Sequence, residues 1–438
     1  MEVWLLSLLI FAGLLGLLLT GLPVTFCLMA VSMVPFILIR GPDSLMVMAS
    51  ATFMGMTKDI FLALPTFIFM AAVLEFSGLG GALYDMMHKW MAGLRGGLAM
   101  GTIGISTIMA AMSGVAATAT LTMGMLAYPE MEQRGYDKRM AIGCIPAGGI
   151  LGPLIPPSVV MIVVASVGNI SIGKLFIAGI FPGLLAALGF MAYIGIRCWR
   201  NLAMGPPLPP EERVGWGEKL KSLRLAGLPI LLVFLVLGLI YMGVCTPSEA
   251  GGIGAVGGLI CAVVYRNLTW ANLSGATARC LRVTAMLMWL LIAGSFFSQM
   301  MGVMGVQTYV KDILIGLEVN RWVILIGILG MVFIMGMFMD DTPIIIIFLP
   351  IFLPVIAELG FDPFWFAFVF TMDCLVGIMT PPFGMVLFYF KGLNIPGVTM
   401  MDIYRSIIPY VFVMVAVMIL CVVFPPLAMW LPGTMFIK

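Results

Sequence analysis

The sequence predicts an all-α polytopic membrane protein, an inverted repeat with two re-entrant hairpins and two broken helices. Three observations predict it. Hydrophobic residues make up 62% of the 438 and charged residues only 10%, more apolar area than a soluble fold of this size can hide. Two long apolar runs carry prolines where a helix should be continuous, GILGPLIPPS (Gly149–Ser158) and VGIMTPPFG (Val376–Gly384). The two runs correspond in register at an offset of 225 positions, at which Pro129, Gly135, Asp137, Gly152 and Asn169 fall on Pro354, Gly360, Asp362, Gly377 and Asn394.

Proline has no backbone N–H and clashes with the carbonyl one turn back, so Pro153, Pro156 and Pro157 must interrupt their helix. An unpaired carbonyl in hydrocarbon costs several kcal/mol, and such a break persists only inside protein or along a cavity. Matched breaks in two halves of a chain are the sequence mark of a transporter's ion and substrate site.

Apolar windows of about 17–25 residues mark the crossings. The first repeat, 1–197, has spans at Val3–Thr20, Pro23–Ile39, Phe61–Gly78 and Leu175–Ile196, a hairpin near 98–127 cut at Ser113-Gly114, and a broken helix over 140–167. A polar linker, 198–224, carries Pro206, Pro207 and several charges. The second repeat, 225–438, has spans at Ala226–Gly243, Ser248–Val264, Val283–Gly302 and Ile407–Leu427, a hairpin near 322–356 and a broken helix over 364–390. Gly80–Gly93 and Val303–Gly316 mix apolar and charged residues and are expected to lie in the membrane plane.

Five crossings per half is an odd number, so the second half is inverted. Sixteen of the 22 Lys and Arg residues, Arg279 among them, fall on the face that carries the linker. By the positive-inside rule that face is cytoplasmic and both termini are periplasmic. Val3 onward is expected to be a retained first span, because Glu2 stands where a signal peptide would be positive.

Composition excludes other classes. A net charge of +2 without a basic aromatic patch gives no nucleic-acid surface, and the eight cysteines show no metal or disulfide spacing. His88, the single histidine, lacks a catalytic companion and is expected on the surface of its in-plane helix. An intramembrane hydrolase would need a better-placed base, so no enzyme is expected. Gly168–Lys174 reads GNISIGK, but Leu175 replaces the Ser/Thr that a phosphate loop needs for magnesium. Without an ATP site, uphill movement requires an ion gradient.

The candidate chemistry sits at the breaks. Half-helix N-termini suit a carboxylate, and freed carbonyls suit a hard cation. Acidic side chains at membrane depth are functional candidates by default: Glu75, Glu249, Asp340, Asp341 and Asp373. Asp340 and Asp341 lie at the second hairpin tip, where adjacent like charges need a cation or backbone donors to relieve them. Glu249 follows Thr246 at capping-box spacing, which favours a structural role.

In GILGPLIPPS, GVCTPSEA (Gly243–Ala250), the MDDTP run from Met339, GFDP (Gly360–Pro363) and GIMTPPFG, in that order, the chain resembles the large membrane subunit of tripartite ATP-independent periplasmic (TRAP) transporters. The resemblance implies an elevator-type transporter of the ion-transporter superfamily. It would import an organic acid, a carboxylate, with Na+ as the coupling ion. It also implies partners: a small four-helix membrane (Q) subunit and a periplasmic substrate-binding (P) protein, in the membrane lipid of a bacterial inner membrane. Sodium ligands carried over by the resemblance are Ser113, Gly114, Gly152, Pro153, Pro156, Asp340, Asp341, Thr342, Gly377 and Thr380. Ser158, Thr342, Thr380 and Pro381 are the expected substrate contacts. Two departures stand out: Val115 and Ala116 replace hydroxyl residues at the first tip, and Asp373 stands where asparagine is expected, a modulator of the cation site. The rival within transport is a stand-alone sodium- or proton-coupled dicarboxylate or citrate carrier of the same superfamily.

Overall fold

The computed structural model describes residues 3–91, 93–209, 211 and 213–435; both extreme termini lie outside them. Every regular element among these residues is helical. The first half runs α1 (Val3–Leu19), α2 (Val24–Arg40), α3 (Ser44–Met56), α4 (Ala63–Phe76), α5 (Leu79–Met91), α6 (Gly97–Ser113), α7 (Ala116–Gln133), α8 (Lys138–Gly149), α9 (Leu151–Leu154), α10 (Val159–Gly168) and α11 (Ile172–Arg200). The second runs α12 (Trp216–Tyr241), α13 (Pro247–Val264), α14 (Trp270–Val303), α15 (Val306–Gly316), α16 (Arg321–Phe338), α17 (Asp341–Glu358), α18 (Pro363–Ile378), α19 (Met385–Lys391), α20 (Met400–Val423) and α21 (Pro426–Gly433).

Among the described residues, seven helices are long and apolar enough to cross a membrane, or up to nine if each of two bent pairs is one span. α1 and α2, at 17 residues each, fall just short of that length. The first broken helix bends by 41° between Leu154 and Val159. The second stops at Ile378 and resumes at Met385. The peptide bonds Pro156–Pro157 and Pro381–Pro382 are both cis.

Correspondence between the halves extends to the caps. Adding 225 to α7, Ala116–Gln133, gives the bounds of α17, Asp341–Glu358. Asp137 and Asp362 each cap the helix that follows, accepting from Met140 N and Trp365 N at 3.0 Å. Gly135 and Gly360 are left-handed, as are Asn169 and Asn394. The chain therefore stops and restarts its helices at equivalent joints with equivalent residues.

Packing sorts the helices into two groups. α4 lies against α13 and α14, and α14 also packs on α2. In the other group α8 is held between α6, α7 and α20, α18 is held between α16, α17 and α20, and α10 crosses to α17. α8 is buried from Met140 to Gly149 and α18 from Trp365 to Ile378. By contrast, large apolar side chains of α12 and α13 such as Phe234 and Val256 stay exposed, as expected of surfaces solvated by lipid. The broken helices are thus the core, and the unbroken ones form much of the outer wall.

Several elements differ from expectation. α3 corresponds to no sequence-predicted span, because Ser44–Met56 is too short to read as one. α14 begins at Trp270, well before Val283, and α12 begins at Trp216 inside the expected linker. Polar first turns hid these starts: Thr269 caps α14 by accepting from Asn272 N. The expected capping box at Thr246 and Glu249 is present, with Glu249 Oε2 2.8 Å from Thr246 N. His88 is not a free surface residue. Its Nε2 lies 2.9 Å from Glu130 Oε1 on α7, with 20% of the side chain exposed. In the other half, Lys311 of α15 pairs with Glu358 of α17 at 2.7 Å.

Candidate functional site

Each hairpin tip docks on the broken helix of its own half. At the first, α6 ends at Ser113, Gly114 takes the left-handed conformation (φ 62°), and Val115 is extended before α7 begins. A Cβ on Gly114 would lie 2.7 Å from Pro157 O and 3.0 Å from Val159 N. One on Gly152 would lie 3.0 Å from the Val115 carbonyl carbon. Only glycine permits this approach of tip to break. The second tip packs similarly through Gly336 and Gly377, where a Cβ on Gly377 would lie 2.6 Å from Gly336 Cα. Gly384 N, past the second break, donates to Met337 O beside the tip at 3.1 Å.

Between the tips is a cavity of about 300 Å³. One wall is Ser113 to Thr118, with Pro153, Val159 and Val160 behind it; another is Asp340, Asp341 and Thr342, with Ile378 and Tyr389. α4 and α14 close it with Glu75, Arg279, Met286 and neighbouring apolar residues. Asp341 and Thr342 are buried and bonded, Thr342 Oγ1 donating to Asp341 Oδ1 at 3.0 Å; Asp340 caps α17 by accepting from Asp341 N at 3.1 Å. Ser113 Oγ is buried without a partner. An orphaned buried hydroxyl is an acceptor in want of a cation or donor. At the start of α7, Val115 provides no side-chain cap, so the first backbone N–H groups have no intrahelical partner.

Six of the expected site residues meet here: Ser113, Gly114, Pro153, Asp340, Asp341 and Thr342. Others do not line the cavity. Gly152 and Gly377 act behind it, as the close-packed seats of the tips. Pro156 faces an apolar crevice of about 410 Å³ with Ile155, Ile177 and Val233. Ser158 is fully buried, its hydroxyl donating to Pro153 O at 2.6 Å and accepting from Met161 N at 3.2 Å, so it caps α10 and lies outside the cavity lining. Thr380 Oγ1 donates to Val376 O at 2.6 Å, and Thr380 and neighbouring Pro381 lie in the break outside the cavity lining. Asp373 is buried with Oδ2 unpartnered, but it borders a separate apolar crevice with Trp322, Phe333 and Met418. It shares no lining with the Asp340–Asp341 pair, and its side of α18 turns toward α16 and α20.

The residue that sequence reading missed is Arg279. Counted only as a cytoplasmic-face charge, it reaches into the cavity, with Nη1 donating to Glu75 Oε1 and Nη2 to Thr118 Oγ1, both at 2.6 Å. A signal existed: Glu75 and Arg279 are opposite charges near the ends of two apolar segments, and an acid at membrane depth asks for a partner. Their separation by 204 positions concealed the pairing.

GNISIGK is the turn from α10 into α11, where Ser171 caps by accepting from Lys174 N. A helix, not a strand, precedes it, so it is no phosphate loop.

A helical membrane fold with paired hairpins, paired breaks and a charged central cavity is the arrangement expected of a membrane transport protein. Residues 11–427 match the family described as tripartite ATP-independent periplasmic transporter, DctM component. The chain belongs to that family: it is a large membrane subunit of TRAP transporters, a multi-pass inner-membrane permease. It is 31% identical over 398 residues to the C4-dicarboxylate TRAP transporter large permease protein DctM of Pseudomonas aeruginosa, covering 91% of this chain and 92% of that one. The isethionate TRAP transporter permease protein DctMQ of Oleidesulfovibrio alaskensis is 30% identical over 390 residues, 88% of this chain and 60% of that longer protein. Among solved structures, the Alcanivorax borkumensis YdaH transporter superposes with a TM-score of 0.64 at 15% identity, over 96% of this chain and 99% of that one. That likeness concerns the fold alone.

Proposed function

We propose that this subunit imports an organic acid, a carboxylate delivered by a periplasmic binding protein, by coupling it to Na+ through an elevator movement of the hairpins and broken helices. The observation that carries the reading is the convergence of both tips on one cavity, with Asp340 and Asp341 on one wall and Arg279 on another. Adjacent carboxylates in a dry site repel unless a cation joins them. Asp340, Asp341 and Thr342 supply the oxygen donors that Na+ prefers at the second tip; Ser113 Oγ, the Gly114 carbonyl and the lone pair that Ser158 leaves on Pro153 O supply them at the first. Bound sodium then offsets the acids and makes room for an anion, which the uncapped N-terminus of α7 attracts.

The two packing groups match a moving and a fixed part. α6–α10 and α16–α20 form the carrier; α2, α4, α13 and α14 belong to the frame against which it slides, with α5 and α15 as in-plane arms. The repeats are inverted, the linker is cytoplasmic and both termini are periplasmic. The small four-helix Q subunit fits against the exposed apolar wall, and the relative named DctMQ supports such a partner. Relatives named for a C4-dicarboxylate and for isethionate support an anionic cargo.

The test is uptake of radiolabelled acids by proteoliposomes holding this subunit, the Q subunit and the binding protein encoded with it. Uptake should require an inward sodium gradient and the binding protein. Equal uptake with potassium replacing sodium would refute the coupling, and uptake without the binding protein would favour a stand-alone carrier.

A further inference from the structure

Among the described residues lining the cavity, Arg279 is the single cation. It extends from α14 of the frame and touches two different bodies. Glu75 of α4, also in the frame, takes Nη1; Thr118 of α7, in the first hairpin, takes Nη2. Thr118 is buried at 4% exposure, while the Arg279 side chain remains 36% exposed. The guanidinium is therefore anchored on one side and open to the cavity on the other.

The two bonds are unequal. The link to Glu75 joins opposite charges within one packed group, and nothing in an elevator movement needs to break it. The link to Thr118 crosses from frame to hairpin and ends on a neutral hydroxyl. A bond from guanidinium to carboxylate is roughly twice as strong as one between neutral groups, and the planar guanidinium fork can donate to both carboxylate oxygens at once. A carboxylate entering the cavity is thus a better partner for Nη2 than the hydroxyl it meets there. Glu75 keeps the net charge of the anchored group near zero, so an anion held there can also leave.

We propose that Arg279 receives the carboxylate of the cargo, and that Thr118 holds this place only in the empty carrier, so that arrival of an anion unties the first hairpin from α14. Recognition and release of the hairpin are then one exchange at one nitrogen. The proposal rests on the transport reading above and adds to it a specificity-determining residue and the chemical group it reads.

The experiment uses the intact subunit in lipid nanodiscs at fixed sodium, with acetate as the carboxylate probe and chloride at equal ionic strength as control. Amide hydrogen exchange is followed in the segment from Met112 to Thr122. In the wild-type protein acetate, unlike chloride, should speed exchange at the tip about tenfold, the scale expected for loss of one hydrogen bond to a charged group. Thr118→Val should exchange fast in both salts. Arg279→Gln should also be fast and indifferent to acetate, while Arg279→Lys should recover part of the response. A wild-type tip that ignores acetate, or an Arg279→Gln tip that still answers to it, overturns the proposal. Should Arg279→Gln fail to fold, Thr118→Val decides: exchange as slow as wild type in chloride means that no tie exists. No sodium gradient, cargo or binding protein is needed. An acetate response in a protein that shows no sodium-driven uptake would therefore sink the transport reading and leave this exchange standing.

Discussion

Gly114→Ala tests whether the docked tip is what binds sodium. The residue is left-handed at φ 62°, a conformation that costs an alanine roughly 1–2 kcal/mol. The new Cβ would stand 2.7 Å from Pro157 O and 3.0 Å from Val159 N. Both neighbours are backbone in a buried break and cannot swing aside, so overpacking adds about 1–3 kcal/mol. Together these disfavour the docked tip by about 2–5 kcal/mol, which at 1.4 kcal/mol per decade is a factor of about 30 to several thousand. Half-saturation for sodium in proteoliposome uptake should rise at least tenfold, with the subunit still inserted and monodisperse. Gly135→Ala is the control: it too is left-handed (φ 71°), but its Cβ would meet nothing within 4 Å. It should cost only the conformational strain and leave sodium dependence near wild type. If Gly114→Ala folds and keeps the wild-type sodium half-saturation, the seating of this tip on Pro157 is irrelevant to ion binding.

Other substitutions separate site from scaffold. Asp341→Asn should weaken sodium dependence roughly tenfold or more while shifting the melting temperature little, as seen by sodium titration of uptake alongside a thermal melt; a normal titration would remove Asp341 from the cation site. Asp373→Asn should leave sodium half-saturation within about twofold of wild type, since its crevice is separate, and a large change would place it back in the cation site. Thr246→Ala should cost about 1 kcal/mol of stability through loss of the α13 cap, with sodium dependence unchanged.

Much of this molecule is legible along the chain because its strongest constraints are local. Proline cannot continue a helix wherever it sits, so Pro156 and Pro381 announce the breaks without reference to any neighbour. Asp137 and Asp362 mark helix starts by what their own side chains can accept, and the repeat at 225 follows from such punctuation. Membrane class follows from composition, because hydrocarbon is the solvent that 62% apolar residues require.

The contents of the cavity follow a different logic. Whether a residue in a break faces inward depends on the rotation of its helix against partners far away in sequence. Ser158 and Thr380 have suitable chemistry but lie outside the cavity lining, their hydroxyl protons given to the carbonyls of Pro153 and Val376. Asp373 lies within a few residues of the second break yet turns to a different crevice. Glu75, Thr118 and Arg279 come from three helices that the chain does not place side by side, and their meeting is set by α4 packing on α14 and by the docking of the first hairpin. Local stereochemistry writes where helices stop. Long-range packing chooses which side chains share a space, since that choice is made by surfaces that exist only once the helices have assembled.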